Sequence, residues 1–267
     1  MIIKAYAKVN LNLSVLSKRT DGLHDICSLM HNISLYDLIE IEESNELSFW
    51  TNSDLKWDES NTLYKTLKVF EDFTGKSYNL KIKLEKHIPS PSGLGGGSAD
   101  AAALLCYLCE REGITEMKEI AAKIGSDVPF FVDGGCAIVE GKGDIIRNLD
   151  PLELNLKLYI PKIGFSTKEM YASVDEMNLI GKNCDPYMLY KGIKQKDEKL
   201  VCENLYNTFK IVAQKKYPHI LEEATKALAD MEYISMSGSG SAFFGFNLKN
   251  KSKGDVHLVA RPRLILK

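Results

Sequence analysis

The sequence predicts an α+β fold with two packed subdomains and a cleft between them. Segments with the two-residue apolar period of strands and segments with the helical period follow one another without strict strand–helix–strand alternation. The chain has 267 residues, 45% of them hydrophobic, and can therefore bury one large core or two moderate ones. The Asp150-Pro151 step is the predicted boundary, which gives domains 1–150 and 151–267.

The first predicted strand carries a polar face whose side chains project together. Lys8 and Asn10 are two residues apart, so they share one face of the strand. The opposite face alternates with them and predicts contact with the core. Its apolar residues are Ile3, Ala5, Ala7, Val9, Leu11 and Leu13.

A second alternating run, Leu80–Lys86, predicts another half-buried strand that leads into a glycine-rich loop, Pro91–Ser98. The loop opens an almost wholly apolar helical segment, Ser98–Cys109, for which Ser98 is the expected N-cap. Helical spacing also marks Asn61–Phe73.

The remaining elements follow from the same periods and from glycine and proline positions. We expect a helix over Thr115–Ile124, a connection at Ser126–Phe131, and strands at Cys136–Val139, Ile145–Leu149 and Leu154–Ile160. Helices are expected around Lys168–Glu176, Leu200–Ala213 and Pro218–Met231, and Tyr233–Phe246 carries a second glycine cluster.

Charge and hydropathy limit the classes of partner. Lys plus Arg number 34 against 36 Asp plus Glu, and no long basic run appears, so nucleic acid is not an expected partner. The N-terminal segment carries charges every few residues, whereas a signal peptide needs an unbroken apolar stretch. No apolar segment approaches the roughly 20 residues needed to span a bilayer. These features predict a cytoplasmic protein with a small-molecule ligand and no membrane partner, and they leave the oligomeric state open.

The six cysteines are scattered, which favours buried, reduced thiols over a disulfide framework or a zinc site. Cys106 and Cys109 match C-x-x-C, but they lie in a helical Ala/Leu-rich segment with no second pair nearby. A metal or redox role is therefore not expected for them.

The glycine-rich loop predicts a phosphate-binding site. Glycines let backbone N–H groups approach an anion closely, and the start of the following helix adds positive potential. The loop lacks the Gly-Lys-Ser/Thr ending of a Walker A motif, and Ser98 stands where a Rossmann motif has its third glycine. A different class of nucleotide site is indicated.

The loop resembles the second motif of the kinase superfamily named for galactokinase, homoserine kinase, mevalonate kinase and phosphomevalonate kinase (GHMP). Ser235–Phe244 resembles the third, glycine-rich motif of that superfamily. Three segments are most similar to the 4-diphosphocytidyl-2-C-methyl-D-erythritol kinase family, in order and spacing. They are Ala7–Leu13, Arg19–His24 and Gly125–Phe131.

The resemblance implies a GHMP-kinase-like fold whose interdomain cleft binds ATP with Mg²⁺ and a cytidine diphosphate derivative. The implied reaction is phosphorylation of the acceptor's 2-hydroxyl, in non-mevalonate isoprenoid precursor biosynthesis. Magnesium would arrive with ATP, held mainly by phosphate oxygens and water, and no side chain is assigned as a metal ligand.

The resemblance also implies roles for individual residues. Lys8 and Asp127 are implied to be catalytic, with Asp127 as the base for the acceptor hydroxyl. Asn10, His24 and Tyr171 are implied to bind the acceptor, and Tyr171 is expected to stack on cytosine. The implied ATP-binding residues are Asn61, Lys86, Pro91, Ser92, Gly93, Leu94, Gly95, Gly96, Gly97, Ser98, Gly238 and Gly240.

Several alternatives stay open at the level of sequence. From the residues alone, Lys8 is equally explained as a solvated surface lysine. A helix N-cap is the less favoured alternative for Asp127. The family usually has an aromatic residue immediately before the histidine, where this chain has Leu23. The acceptor could therefore be another alcohol, such as homoserine or a mevalonate derivative, and a non-catalytic relative that binds a nucleotide or metabolite is the third possibility.

Overall fold

The computed structural model describes residues 1–181, 184–249 and 254–260, together with the backbone of Ile265–Leu266. Within these residues, seven strands form a sheet in which β5 and β6 branch from β2. The strands are β1 (Ile2–Lys18), β2 (His24–Glu43), β3 (Ser48–Thr51), β4 (Leu80–Glu85), β5 (Cys136–Gly141), β6 (Ile145–Leu149) and β11 (Ile265–Leu266). All pairs in this sheet are antiparallel except β3 with β4.

A second sheet has the strand order β10-β7-β9-β8. Its strands are β7 (Asn155–Tyr159), β8 (Tyr233–Met236), β9 (Phe243–Phe246) and β10 (Val256–His257). The described helices are α1 (Thr62–Thr74), α2 (Gly96–Glu112), α3 (Met117–Ile124), α4 (Val128–Asp133), α5 (Thr167–Glu176), α6 (Pro186–Gln195), α7 (Glu198–Asn204), α8 (Thr208–Lys216) and α9 (Pro218–Ala227). The α+β prediction is confirmed.

Strand β1 is buried on both faces. Lys8 is 3% exposed and Asn10 is fully buried, although both lie on the polar face of the strand. Lys8 N donates to Leu94 O at 2.9 Å, and Asn10 N donates to Ser237 Oγ at 3.1 Å. The glycine-rich loop and the C-terminal glycine segment therefore cover the face that sequence alone leaves open to solvent.

Helix α2 begins two residues before the predicted cap. Gly95 occupies the N-cap position with a φ of 72°, a left-handed conformation that favours glycine. The prediction that Ser98 caps the helix is therefore wrong, because Ser98 already lies in its first turn. The prediction of a buried helix is confirmed, since all of its alanine and leucine residues are buried.

The structure corrects several other elements, and it contains strands β2 and β3, which the sequence-based prediction lacked. The single helix expected over Leu200–Ala213 is two helices, because Asn207 caps α8 by accepting bonds from Phe209 N at 2.7 Å and Lys210 N at 3.2 Å. The connection expected at Ser126–Phe131 contains α4, and α6 had no counterpart in the sequence-based prediction.

The second sheet consists of strands that follow residue 150, but the two parts of the chain share apolar cores. One buried cluster contains Leu13 and Phe130 together with Phe209. Strand β11 also returns to the first sheet and pairs with β1. The division into domains 1–150 and 151–267 stays a prediction, and residues 182–183, 250–253, 261–264 and 267 lie outside the described structure.

Candidate active site

The two glycine-rich segments contact each other beside β1. Ser237 Oγ donates to Gly93 O at 3.0 Å, and Ala242 N donates to Ser92 O at 2.9 Å. A Cβ atom on Gly93 would lie 2.2 Å from Ser237 O, so only glycine allows this approach. The C-terminal motif therefore holds the loop in place through one side-chain and one backbone hydrogen bond.

The loop borders a cavity of about 290 Å³. Ala99 N donates to Gly95 O at 2.9 Å, which is the first bond within α2. The N–H groups of Gly96, Gly97 and Ser98 come before this bond in the chain and therefore have no acceptor within the helix. N–H groups at such a position can bind an anion. The geometry at the start of α2 therefore suits a phosphate group.

Lys8, Asn10 and Asp127 meet at the wall of this cavity. Lys8 Nζ lies 2.5 Å from Asn10 Oδ1 and 3.4 Å from Asp127 Oδ2. Asn10 Nδ2 donates to Ser28 Oγ at 2.8 Å, which orients the amide so that its oxygen faces the lysine. The Lys8 side chain is 4% exposed, so it is not a solvated surface lysine.

Asp127 occupies the N-cap position of α4, but its side chain makes no capping hydrogen bond. Its carboxylate instead borders the cavity, next to the Lys8 ammonium, and remains 33% exposed. The carboxylate is therefore accessible to a ligand in the cavity.

A second cavity, of about 640 Å³, adjoins the first. Asp127, Ser98, Thr167 and Tyr171 line both cavities, so the two spaces join at Asp127. The other polar and charged residues that line the second cavity are Lys18, His24, Ser126, Lys142, Lys168 and Asp175.

His24 is fixed by a carboxylate and an aromatic ring. Its Nε2 lies 2.7 Å from Asp175 Oδ1, and its ring stacks on Tyr171 with centroids 4.9 Å apart. Hydrogen bonds from Lys18 and then His24 lower the pKa of the Asp175 carboxyl. Burial, reinforced by the charge of Asp127, raises the pKa of Tyr171, so its hydroxyl stays protonated.

Most of the predicted site residues lie together. The first cavity is lined by Lys8, Asn10, Pro91, Ser92, Gly93, Gly95, Gly96, Gly97, Ser98, Asp127, Tyr171, Gly238 and Gly240. Leu94 instead points into the apolar core and contributes its carbonyl to Lys8 N.

Asn61 and Lys86 line neither of these two cavities. Asn61 caps α1 by accepting from Leu63 N at 2.9 Å, and it donates to Lys56 O at 2.9 Å. Lys86 is paired with two buried aspartates. Their implied roles in binding ATP stay predictions, as do the roles of the other site residues.

Sequence reasoning missed Thr167 and Asp175. Thr167 Oγ1 lies 2.9 Å from Ser239 Oγ, which links α5 to the C-terminal glycine segment. Asp175 follows Tyr171 by one helical turn, so the i, i+4 rule places them on one face of α5. That spacing is the signal that could have found Asp175.

Two further features concern the part of the chain that the structure describes. This part contains no group of three or more His, Cys, Asp or Glu side chains arranged to hold a metal ion. None of its helices is both long enough and apolar enough to cross a membrane.

Known proteins resemble this chain along most of its length. The family described as "GHMP kinases N terminal domain" matches residues 61–135. A 4-diphosphocytidyl-2-C-methyl-D-erythritol kinase of Thermosipho melanesiensis is 42% identical over 267 residues, which cover 97% of this chain and 94% of the relative. A protein of the same name from Petrotoga mobilis is 42% identical over 252 residues, which cover 91% of this chain and 98% of that relative.

Two solved structures share the fold of this chain. A crystal structure of 4-(cytidine 5'-diphospho)-2C-methyl-D-erythritol kinase has a TM-score of 0.79 and 29% identity, covering 95% of this chain and 91% of that one. A homoserine kinase of Cytophaga hutchinsonii has a TM-score of 0.66 and 18% identity, covering 92% and 84%, and shares the fold. The chain therefore belongs to the 4-diphosphocytidyl-2-C-methyl-D-erythritol kinase family of the GHMP kinases.

Proposed function

We propose that this chain is an ATP-dependent small-molecule kinase that phosphorylates the 2-hydroxyl of 4-diphosphocytidyl-2-C-methyl-D-erythritol. One observation carries the proposal. Lys8 and Asp127 lie 3.4 Å apart where a glycine-lined cavity joins a larger cavity lined by lysines and His24. The relatives of the same family support the choice of acceptor.

The glycine-lined cavity is the proposed site of the ATP phosphates. A Cβ atom on Gly95 would lie 2.8 Å from Phe131 Cζ and 3.1 Å from Lys8 Cε, so the loop is packed tightly against the lysine. Bound phosphates would therefore receive N–H groups from the start of α2 and the positive charge of Lys8. Magnesium, when bound with ATP, would offset phosphate charge and be held mainly by phosphate oxygens and water.

Asp127 is the proposed base. The acceptor hydroxyl gives its proton to the Asp127 carboxylate as its oxygen bonds to the terminal phosphorus, and the bond from that phosphorus to the bridging oxygen breaks to release ADP. Lys8 stabilises the negative charge on the transferring group, and Asn10 holds Lys8 in position. Phosphoryl transfer depends mainly on such positioning and electrostatics.

The larger cavity suits an anionic acceptor. Lys18, Lys142 and Lys168 line it, and Lys18 is paired with Asp175. Lys142 and Lys168 form no ion pair with any residue that the structure describes. Two lysines that are not held in ion pairs favour a diphosphate over a neutral alcohol, since charge-assisted hydrogen bonds are the strong ones.

The cytosine end of the acceptor is proposed to lie near His24 and Tyr171. His24 already covers one face of the Tyr171 ring, and the ring of Phe209 meets Tyr171 edge-on with centroids 4.8 Å apart. Leu23, 46% exposed at the wall of the same cavity, supplies an apolar surface in place of an aromatic ring.

The site supports the two alternative functions, a non-catalytic relative and a kinase for another alcohol, less well. A non-catalytic relative has no need of a buried lysine held against an accessible carboxylate. Homoserine carries no phosphate and would leave the lysines of the larger cavity without an anionic partner. A mevalonate derivative carries no pyrimidine ring for the stacked pair of His24 and Tyr171 to bind. Cytoplasmic location and the absence of a nucleic-acid partner stay predictions.

The test is ADP release by purified protein with Mg-ATP and each of three acceptors. Turnover with 4-diphosphocytidyl-2-C-methyl-D-erythritol, and little with homoserine or mevalonate, supports the proposal. Turnover with another alcohol would keep the kinase and reject the substrate. ATP binding without turnover of any acceptor would favour the non-catalytic relative.

A further inference from the structure

Three buried charged residues lie beneath the glycine-rich loop. Lys86 Nζ contacts Asp37 Oδ2 and lies 2.7 Å from Asp100 Oδ2. The side chains of Asp37, Lys86 and Asp100 are 0%, 10% and 2% exposed. Two carboxylates therefore share one ammonium group, and the fully ionised cluster carries one uncompensated negative charge.

The two aspartates differ in their hydrogen bonds. Asp37 Oδ1 accepts from His87 N at 2.5 Å and from Ile88 N at 2.8 Å, so both of its oxygens have donors. Asp100 Oδ1 is buried and has no hydrogen-bond partner among the described residues. A buried, ionised oxygen without a donor is strongly disfavoured, and protonation of Asp100 removes that penalty.

The electrostatics agree with this geometry. Burial raises the pKa of Asp100 to about 7, Asp37 adds to the increase, and Lys86 opposes it. Asp37 comes from β2, and Lys86 follows β4. Lys86 donates the hydrogen bond to Asp100. Among the described residues of the neighbouring elements α1, α3, α4 and β1, no charged side chain forms a hydrogen bond with Asp100.

The cluster lies directly behind the phosphate cavity. A Cβ atom on Gly96 would be 3.2 Å from Lys86 Nζ, and Gly96 lines that cavity. Asp100 itself lies in α2, whose first residues border the cavity. The negative charge of a bound triphosphate would therefore act on the cluster across one glycine backbone, through a poorly screening interior.

We propose that Asp100 is the proton-accepting group of the Asp37–Lys86–Asp100 cluster, and that binding of the ATP phosphates converts Asp100 from its ionised to its protonated form. The bound phosphates disfavour the ionised form of Asp100, so the carboxylate gains a proton from solvent. Lys86 then remains paired with Asp37. The start of α2 no longer lies between two negative charges, those of the bound phosphates and of ionised Asp100. The inference rests on the proposed function, because it requires ATP at the loop.

The test is calorimetry of Mg-ATP binding, without an acceptor, in several buffers that differ in ionisation enthalpy. The dependence of the binding heat on the buffer gives the number of protons taken up. Because Asp100 is about half protonated near pH 7, uptake there can reach about half a proton per ATP. Uptake should decline toward pH 6, where Asp100 is already protonated before ATP binds, and toward pH 9, where Asp100 stays ionised after ATP binds.

Three variants separate Asp100 from other sources of protons. Asp100→Asn should remove the uptake that is due to Asp100, and any uptake that remains measures the protons that ATP itself exchanges. Asp37→Asn leaves the Asp100 carboxyl in place but pairs it one-to-one with Lys86, which lowers its pKa and reduces uptake near pH 7. Asp72→Asn, an exposed carboxylate on α1, is the control and should leave uptake unchanged.

A second measurement covers the case in which Asp100→Asn does not fold. The ¹³C signal of the Asp100 carboxyl in the free wild-type protein should titrate near pH 7. A titration below pH 5, or Mg-ATP binding without buffer-dependent heat between pH 6 and pH 9, would overturn the inference. Absence of Mg-ATP binding would reject the proposed function and the coupling together, whereas binding without proton uptake would reject only the coupling.

Discussion

Lys8 Nζ lies 3.4 Å from Asp127 Oδ2, so an ammonium from the first strand meets a carboxylate from the start of α4. The lysine is held by Asn10 and by the backbone bond from Lys8 N to Leu94 O. The carboxylate is reachable from both cavities. This pair joins the proposed phosphate donor and the proposed acceptor.

Asp127→Asn should lower kcat by about 100-fold or more, because an amide cannot take the hydroxyl proton. The affinity for Mg-ATP should change little, since the N–H groups of α2 remain in place. Steady-state kinetics and calorimetry measure the two effects. Asp133→Asn, at the end of the same helix, is the control, and equal losses in both variants would contradict the assignment.

Gly95→Ala and Gly75→Ala form a matched pair. Both glycines have positive φ, 72° and 68°, so each alanine costs about 1 kcal/mol of backbone strain. Only at Gly95 would the new Cβ clash, with Phe131 and Lys8, whereas at Gly75 no atom lies within 4 Å. We expect Gly95→Ala to weaken Mg-ATP binding and turnover, and Gly75→Ala to lower only the free energy of unfolding.

The result that would contradict the packing argument is an equal effect of the two alanines on Mg-ATP affinity. Chemical denaturation of both variants separates loss of stability from loss of binding.

Lys142→Met and Lys168→Met should each raise KM for the cytidylyl acceptor by about tenfold, because each substitution removes one charge-assisted hydrogen bond to the acceptor. KM for ATP should stay nearly constant, because neither lysine lines the glycine-rich cavity. The increase in KM should shrink at high ionic strength. Lys162→Met, at an exposed position outside both cavities, should leave both KM values unchanged.

His31 should make the protein less stable in acid. Its Nδ1 donates to Asn32 O at 2.9 Å, and its Nε2 accepts from Leu152 N at 3.1 Å, so only the neutral ring satisfies both bonds. Burial lowers the pKa of His31 from 6.5 to about 4. The unfolded state therefore binds more protons between these values, and about 3 kcal/mol of stability is lost as the pH falls from 6.5 to 4.

Denaturant unfolding at several pH values measures this loss. His31→Gln should flatten the pH dependence in that range, whereas His219→Gln, at an exposed position, should preserve it. A wild-type stability that is constant between pH 6.5 and pH 4 would contradict the account of His31.

Local patterns predicted the parts of the site that depend on neighbours in sequence. Lys8 and Asn10 share a strand face, and the glycines stand between a strand and a helix, as expected. The contacts of Ser237 with Gly93 and of His24 with Asp175 join distant segments. No local pattern specifies such contacts, because the tertiary fold sets them.

Strand β2 shows why some elements escaped prediction. Its 20 residues include the buried polar residues Ser28, His31, Asn32 and Asp37, which interrupt the apolar alternation of a half-buried strand. Helix α6, in contrast, carried a readable signal, since Asp185 caps it and Pro186 is its first residue. The break between α7 and α8 depends on Asn207, which also donates to Met236 O at 2.6 Å.

The most direct test of the central claim is ³¹P NMR of the product formed from Mg-ATP and 4-diphosphocytidyl-2-C-methyl-D-erythritol. We predict one new phosphomonoester signal, coupled to no other phosphorus, with both diphosphate signals of the acceptor retained. Two-dimensional carbon–phosphorus correlation should assign the new group to the 2-hydroxyl. A lengthened phosphate chain, a phosphate on another hydroxyl, or no monoester at all would contradict the account.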